Sequence, residues 1–239
     1  MGMYLHVWLT VKESKVPAFV EKAKVFLDTQ FLERAPNGWQ LLAAMKVVEV
    51  AGHHLPTPPV DGEKSFTFVN VWALPEPINL AAVMFQLSEY GPYVELDNEV
   101  SHELQEVIYR VNAPDSVNDD ELAAQLKAGQ RFAMVRHYPF RQNLAEFAVS
   151  SGALLGSFAA QAGYGFGGTY QNITGLLNEF WDLWRVEKGQ TSASLREKLI
   201  ALIQAERGML GDSYRHSTEF TPKDPDDGVL ILEKAEYWV

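Results

Sequence analysis

Hydrophobic and polar positions alternate cleanly from Tyr4 to Val11. Tyr4, His6, Trp8 and Thr10 fall on one face, and Leu5, Val7, Leu9 and Val11 on the other. Period-two alternation carried by β-branched and aromatic residues predicts a strand. The period then lengthens. Val16, Phe19, Val20, Ala23 and Leu27 make a helical stripe, with Ser14 placed to cap it and Pro17 tolerated in its first turn. After the break at Pro36, Asn37 and Gly38, extended patterns return at Trp39–Val50 and Phe66–Leu74, separated by the proline-rich loop AGHHLPTPPVDGEK, which reads as exposed. Asn79 can cap a helix carrying Leu80, Val83, Met84 and Leu87; a second helical piece is predicted from Tyr93 to about Gln105, and a closing strand from Glu106 to Asn112.

A polar, acidic stretch follows, locally helical at Glu121–Lys127, and the pattern then begins again. Arg131–Phe140 reads as a strand, and Asn143 as the cap of a helix bearing Leu144, Phe147, Ala148 and Leu155. When Phe19 is laid on Phe147, Val16 meets Leu144, Leu27 meets Leu155, and Trp8 meets Arg136. A glycine-rich strand or strand pair is expected over Gly163–Gly175, then the strand in GLLNEFWDLWRVE (175–187). Ser194 and Glu197 read as a capping box for a helix with Leu195, Leu199, Leu202 and Ile203, and Val229–Tyr237 as the last strand. FTFVNVW (66–72) and GLLNEFWDLWRVE each place a polar residue two positions before a tryptophan: Asn70 with Trp72, and Asp182 with Trp184.

Each half therefore reads strand, helix, strand, strand, helix, strand. The expected class is α+β: two fused ferredoxin-like (βαββαβ) repeats packing sheet to sheet as a barrel-like pseudo-dimer. Repeat 1 covers residues 1–112, a linker 113–130, and repeat 2 residues 131–239.

Composition narrows the function without naming it. The chain has 239 residues, 47% hydrophobic and 21% charged, as expected for a globular protein with a sizeable core. A net charge of −11 repels phosphate backbones and anionic membranes, so neither nucleic acid nor a membrane is an expected partner. The absence of cysteine excludes disulfides, thiolate metal sites and cysteine nucleophiles. MGMYLHVWLT has no basic leader or small-residue cleavage site, so no signal peptide is read and a cytoplasmic location is expected.

Tandem ferredoxin-like halves resemble the dimeric α/β-barrel superfamily with both subunits fused. The second half is similar to NIPSNAP-type domains through GLLNEFWDLWRVE, which ends in Leu183, Trp184 and Arg185; the first half departs, with Val71, Trp72 and Ala73 in their place. The resemblance implies a superfamily of cofactor-independent monooxygenases, isomerases, polyketide cyclases and haem enzymes, among which fold alone does not choose. Fused pairs of this length also resemble chlorite-dismutase-like proteins. Those place a haem-ligating histidine in the second half, where this chain offers His137 and His216 without that family's histidine motif.

The candidate chemistry gathers on the polar side of the strands. His6, Asp182 and Arg136 are the expected catalytic groups, the first two as general bases and Arg136 as a stabiliser of an enolate or carboxylate. Tyr138, Asn70, Trp72, Trp184 and Trp8 are the expected substrate-binding lining, in a pocket between sheet and helices. Alternatively, Asp182 and Arg136 form an ion pair joining the halves, and His6 is a hydrogen-bonded core residue.

No metal or other cofactor is expected. His53 and His54 are adjacent and so point apart, and His102 with Glu99, Glu103 and Glu106 reads as a solvated helix face. The AGYGFGGTY segment lacks the lysine of a phosphate loop and reads as a closely packed strand. The leading expectation is a protein binding a small, partly apolar organic molecule for oxygenation, isomerisation or cyclisation. Its alternatives are a non-catalytic NIPSNAP-like interaction module and a haem protein, and self-association into a homo-oligomer is compatible with each.

Overall fold

The computed structural model describes residues 2–27, 39–52, 55, 57, 59–74, 98–111, 117–137, 166–174, 180–205 and 229–239, without the side chains of residues 111, 136, 137, 166, 180, 199, 200 and 202–205. In chain order these form β1 (Met3–Lys12), a 3₁₀ turn (Glu13–Lys15), α1 (Val16–Val25), β2 (Gln40–Ala51), β3 (Ser65–Ala73), β4 (Val100–Val111) and α2 (Asp119–Lys127). They continue with β5 (Phe132–His137), β6 (Phe166–Asn172), β7 (Phe180–Arg185), α3 (Ser192–Ala205) and β8 (Val229–Lys234). The helices expected after Asn79 and Asn143 lie outside the described residues.

The strands close into one barrel in the order β1-β3-β2-β8-β5-β7-β6-β4, and β4 pairs back onto β1. Every ladder is antiparallel. The first four strands run β4-β1-β3-β2 and the last four run β8-β5-β7-β6, the same order twice. Two sheets packed face to face were expected. Instead their edges are hydrogen-bonded, β2 to β8 from Met45↔Lys234 to Ala51↔Val229 and β4 to β6 from Ile108↔Asn172 to Val111↔Thr169. Closure gives each described strand a hydrogen-bonded neighbour on both sides, which removes from them the edges that template aggregation.

The two faces of the barrel wall can be told apart by contact. Trp8 on β1 lies 5.5 Å from Trp181 on β7, ring centroid to ring centroid, although those strands are not neighbours. That contact crosses the interior, so Tyr4, His6, Trp8 and Thr10 face inward. On the opposite face of the wall, Phe19 of α1 packs 4.8 Å from Phe68 of β3 and 5.4 Å from Tyr237. A second outer cluster joins Trp184, Ala133, Val135 and Ile231 to Leu195 of α3. Both faces of β1 are buried, and a strand covered on both sides explains why both of its residue sets are largely apolar.

Three local expectations are corrected. Ser14 does not cap α1: the cap position is Lys15, without a side-chain bond, and the Ser14 N–H donates instead to Glu63 Oε1 at 3.2 Å. Residues 100–105 are strand, not helix, so Glu103 and His102 are exposed β4 residues rather than a helical stripe. The proline-rich loop is not uniformly exposed, because Thr57 is buried and receives a 2.6 Å hydrogen bond from Thr10 Oγ1 inside the barrel. The helix expected at Glu121–Lys127 is present as α2 and begins two residues earlier, capped by Asn118 Oδ1, which accepts from the Glu121 N–H at 2.9 Å; it buries Leu122 and Leu126.

The capping box of α3 sits one turn earlier than the Ser194/Glu197 expectation. Thr191 Oγ1 accepts from the Ser194 N–H at 3.1 Å, and Ser194 Oγ accepts from the Thr191 N–H at 3.0 Å. Glu49, turned aside by a bulge in β2, adds a third bond by accepting from the Ser192 N–H at 2.9 Å. Thr191→Ala is expected to lower unfolding free energy by about 1 kcal/mol. Glu197→Ala, remote from the reciprocal bonds, should stay within about 0.5 kcal/mol of the parent in the same urea titrations.

Candidate functional site in the barrel interior

The inner face of the wall is built by register. His6 stands opposite Val71 on β3 and Glu106 on β4; Trp8 stands opposite Val69 and Leu104, and Tyr4 opposite Ile108. The same face continues through Ile108↔Asn172, Arg110↔Tyr170 and Tyr170↔Trp181. Glu106, Arg110, Tyr170 and Asn172 are buried and were not anticipated as site residues. Glu106 and Arg110 fall in the predicted closing strand and Tyr170 and Asn172 in the predicted glycine-rich segment, but which side of the wall each faces depends on register between strands, which the sequence does not show.

Two polar groups of residues result. At one barrel end Asp119, the first residue of α2, accepts from Tyr4 Oη at 2.7 Å and pairs with an Arg110 guanidinium nitrogen at 2.5 Å. Arg110 also donates to the carbonyl of Gly167 at 3.1 Å and to that of Val117, and stands 5.8 Å from the Tyr170 ring centre. Deeper in, Glu106 Oε1 accepts from Asn172 Nδ2 at 2.6 Å. Opposite Glu106 in register sits His6, 2% exposed, with its ring 6.0 Å from Trp8 at near-perpendicular tilt and 6.3 Å from Tyr170.

Burial sets the electrostatics. Loss of hydration pushes the His6 imidazole down to about 3 from its usual 6.5, so it is neutral at pH 7. Burial likewise pushes the Tyr170 hydroxyl up to about 12, an effect that Arg110 opposes and Asp119 reinforces. Tyr4 is raised for the same reason, and its bond to Asp119 adds to the shift. The Nδ1 atom of His6 has no hydrogen-bond partner among the described residues. A neutral imidazole with an unengaged ring nitrogen, walled by aromatic rings, can accept a proton from a bound acid and hold it as an ion pair.

The buried histidine has a consequence for stability. Its folded value of about 3 lies below the unfolded 6.5, so the unfolded chain takes up the proton first as pH falls. The contribution is complete above about pH 6.5 and erodes toward pH 3, at roughly 1.4 kcal/mol per pH unit. Between pH 7 and pH 5 the parent should lose about 2 kcal/mol more than His6→Gln in urea unfolding. Equal losses would mean that the imidazole is hydrated in the folded state.

The sequence-predicted residues do not form one cluster. His6 and Trp8 face the interior. Asn70 is the partner of Val7, and Trp72 of Leu5, so both lie on the outer face, where Asn70 Oδ1 accepts from Tyr237 Oη at 2.8 Å. Asp182 and Trp184 are also on the outer face. Asp182 is 1% exposed and accepts from Thr169 Oγ1 at 2.6 Å, and Trp184 packs under α3. The expected grouping of His6 with Asn70 and Asp182 fails because cross-strand partners share a face and their chain neighbours do not. Arg136 pairs in register with Trp181, whereas Asp182 pairs with Val135, which sets Arg136 and Asp182 on opposite faces. Tyr138, His216, His53 and His54 lie outside the described residues, as does the side chain of His137. Among the described residues no three His, Asp or Glu side chains converge to hold a metal, and no helix is long and apolar enough to cross a membrane.

An antiparallel barrel with helices on its outer face and a polar, aromatic-walled interior is the α/β-barrel architecture. Solved structures similar to this chain share it. An anthrone oxidase-like protein superposes with a TM-score of 0.50 at 11% identity, over 97% of this chain and 91% of that one. A candidate monooxygenase from Lactobacillus acidophilus NCFM gives 0.44 at 11% identity over 97% and 93%. The siroheme decarboxylase NirDL gives 0.38 at 13% identity over 98% and 72%. Such likeness concerns the fold. No protein-family model matches the chain, and no curated protein sequence does.

Proposed function

We propose that the barrel interior binds a planar, partly apolar organic acid and that His6 removes its acidic proton, opening a cofactor-independent oxygenation. The observation that carries this reading is the buried, neutral His6, whose Nδ1 lacks a partner among the described residues and whose ring is flanked by Trp8 and Tyr170. The resemblance to an anthrone oxidase-like protein points to a carbon acid conjugated with a carbonyl as the substrate type. The proton passes from the substrate carbon to Nδ1, and the electron pair delocalises onto the carbonyl oxygen. Dioxygen is the co-reactant: it adds at that carbon, the proton returns to give a hydroperoxide, and loss of water leaves a new ketone. Isomerisation or cyclisation would begin with the same proton transfer.

In this reading the chain is two ferredoxin-like repeats, 1–112 and 131–239, joined through 113–130, and the repeated strand order supports it. The NIPSNAP likeness of the second half rests on Leu183, Trp184 and Arg185. Asn70, Trp72, Asp182 and Trp184 then act as supports of the barrel wall and not as reacting groups, while Arg136, in register with Trp181, stays a candidate for charge stabilisation.

Anthrone is the test compound. Under air the parent protein is expected to convert it to anthraquinone above the uncatalysed rate, with equimolar dioxygen uptake. Failure of anthrone both to bind and to react would remove the reading.

A further inference from the structure

Trp8 repeats the deficit seen at His6. The indole is 0% exposed, yet its Nε1–H has no hydrogen-bond partner among the described residues. Leaving such a donor unpaired costs about 1–3 kcal/mol, and His6 Nδ1, two residues away on the same inner face, adds a second cost. The two rings meet edge to face at 6.0 Å, and Trp181 stacks at a tilt 5.5 Å behind Trp8. One atom is an obligate donor. The other accepts when the imidazole proton is on Nε2.

We propose that these two nitrogens form a recognition pair, in which Trp8 Nε1–H donates to a carbonyl oxygen of the ligand while His6 Nδ1 faces its acidic hydrogen. The substrate class is therefore a planar, enolisable aryl ketone, its acidic hydrogen conjugated through the ring system with the oxygen. This rests on the reading of the interior as a binding chamber. Donation from Trp8 strengthens as charge moves onto the oxygen, so it contributes more to the transition state than to binding. Trp8 touches the substrate oxygen, and His6 the substrate hydrogen.

The probes are 1-tetralone, which offers an acceptor oxygen and no hydroxyl, and tetralin, the same frame without oxygen. Equilibrium titration of the parent is expected to favour 1-tetralone by about tenfold, as one satisfied buried donor implies. Trp8→Phe should abolish that preference while still binding tetralin, which also reports that the variant is folded. His6→Gln should retain it. In the isotope-labelled parent protein the Trp8 indole N–H resonance should move with 1-tetralone and stay in place with tetralin, a readout that needs no variant. An unmoved resonance, or a preference that survives Trp8→Phe, overturns the recognition pair. Failure of the underlying reading looks different: neither probe binds, or His6→Gln processes anthrone as fast as the parent whatever Trp8 does.

Discussion

His6→Gln is expected to lower kcat/KM toward anthrone by about 10²–10⁴-fold, the usual contribution of a positioned general base. Glutamine approximates the volume and hydrogen-bonding reach of the imidazole but cannot take a proton at neutral pH. The same variant should bind 1-tetralone nearly as well as the parent, which separates proton transfer from packing. The pH profile gives an independent check. In kcat/KM the limb on the acid side reports the base of the free protein, where burial holds His6 at about 3. The rate should therefore stay flat down to about pH 5, whereas a solvated histidine would produce a limb near 6.5. A limb near 6.5, or a loss smaller than about threefold in His6→Gln, would remove His6 from the reaction.

So low a value makes His6 a weak base in water terms, and the buried setting resolves the difficulty. Proton transfer from a neutral carbon acid creates an imidazolium beside an enolate. In low dielectric that pair attracts strongly, so the bound substrate raises the affinity of His6 for the proton. At neutral pH the histidine charges only beside an anionic partner. The site therefore favours neutral acids over substrates that arrive already ionised.

What the sequence made legible follows from where the polar residues lie. β1, β2 and β3 carry apolar residues on alternating positions and were read to within a residue or two at each end. β4 was misread as helix through Gln105 because both of its faces carry polar groups. The inner positions hold Leu104, Glu106, Ile108 and Arg110, and the outer ones Glu103, Gln105, Val107 and Tyr109. No alternation survives such a distribution. The residues that hide this end of the strand, Ser101, His102 and Glu103, are exposed, whereas Glu106 and Arg110 fall in the part of β4 that the sequence does read as strand. The mistaken grouping of His6 with Asn70 has another origin. Alternation within one strand is visible in sequence, but the offset between strands is not. A shift of one residue against β1 decides whether Val71 or Asn70 faces inward.

Arg110→Met is expected to lower unfolding free energy by about 2–3 kcal/mol, the cost of removing a charged donor and leaving its buried acceptors unpaired. Arg110 joins β4, α2 and β6 through a single side chain. Its own strand is β4; its guanidinium reaches Asp119 on α2, the carbonyl of Val117 just before that helix, and the carbonyl of Gly167 on β6. Through Asp119 it also bears on Tyr4 of β1. Methionine fills similar volume but leaves the two carbonyls and the carboxylate without that donor. Arg110→Lys should recover only part of the loss, because a single ammonium cannot reproduce the planar fork. Space for the fork comes from Gly168, at φ +143°, where an added Cβ would lie 3.2 Å from Arg110 Nε. Gly168→Ala is thus strained in backbone and crowded against the guanidinium, and should destabilise in the same direction. Since Tyr170 lies between Arg110 and His6, Arg110→Met should also disturb the Tyr4–Tyr170–His6 ring contacts and weaken 1-tetralone binding. If urea titration puts Arg110→Met within about 1 kcal/mol of the parent, α2 is held by its buried leucines and the guanidinium is not its fastening.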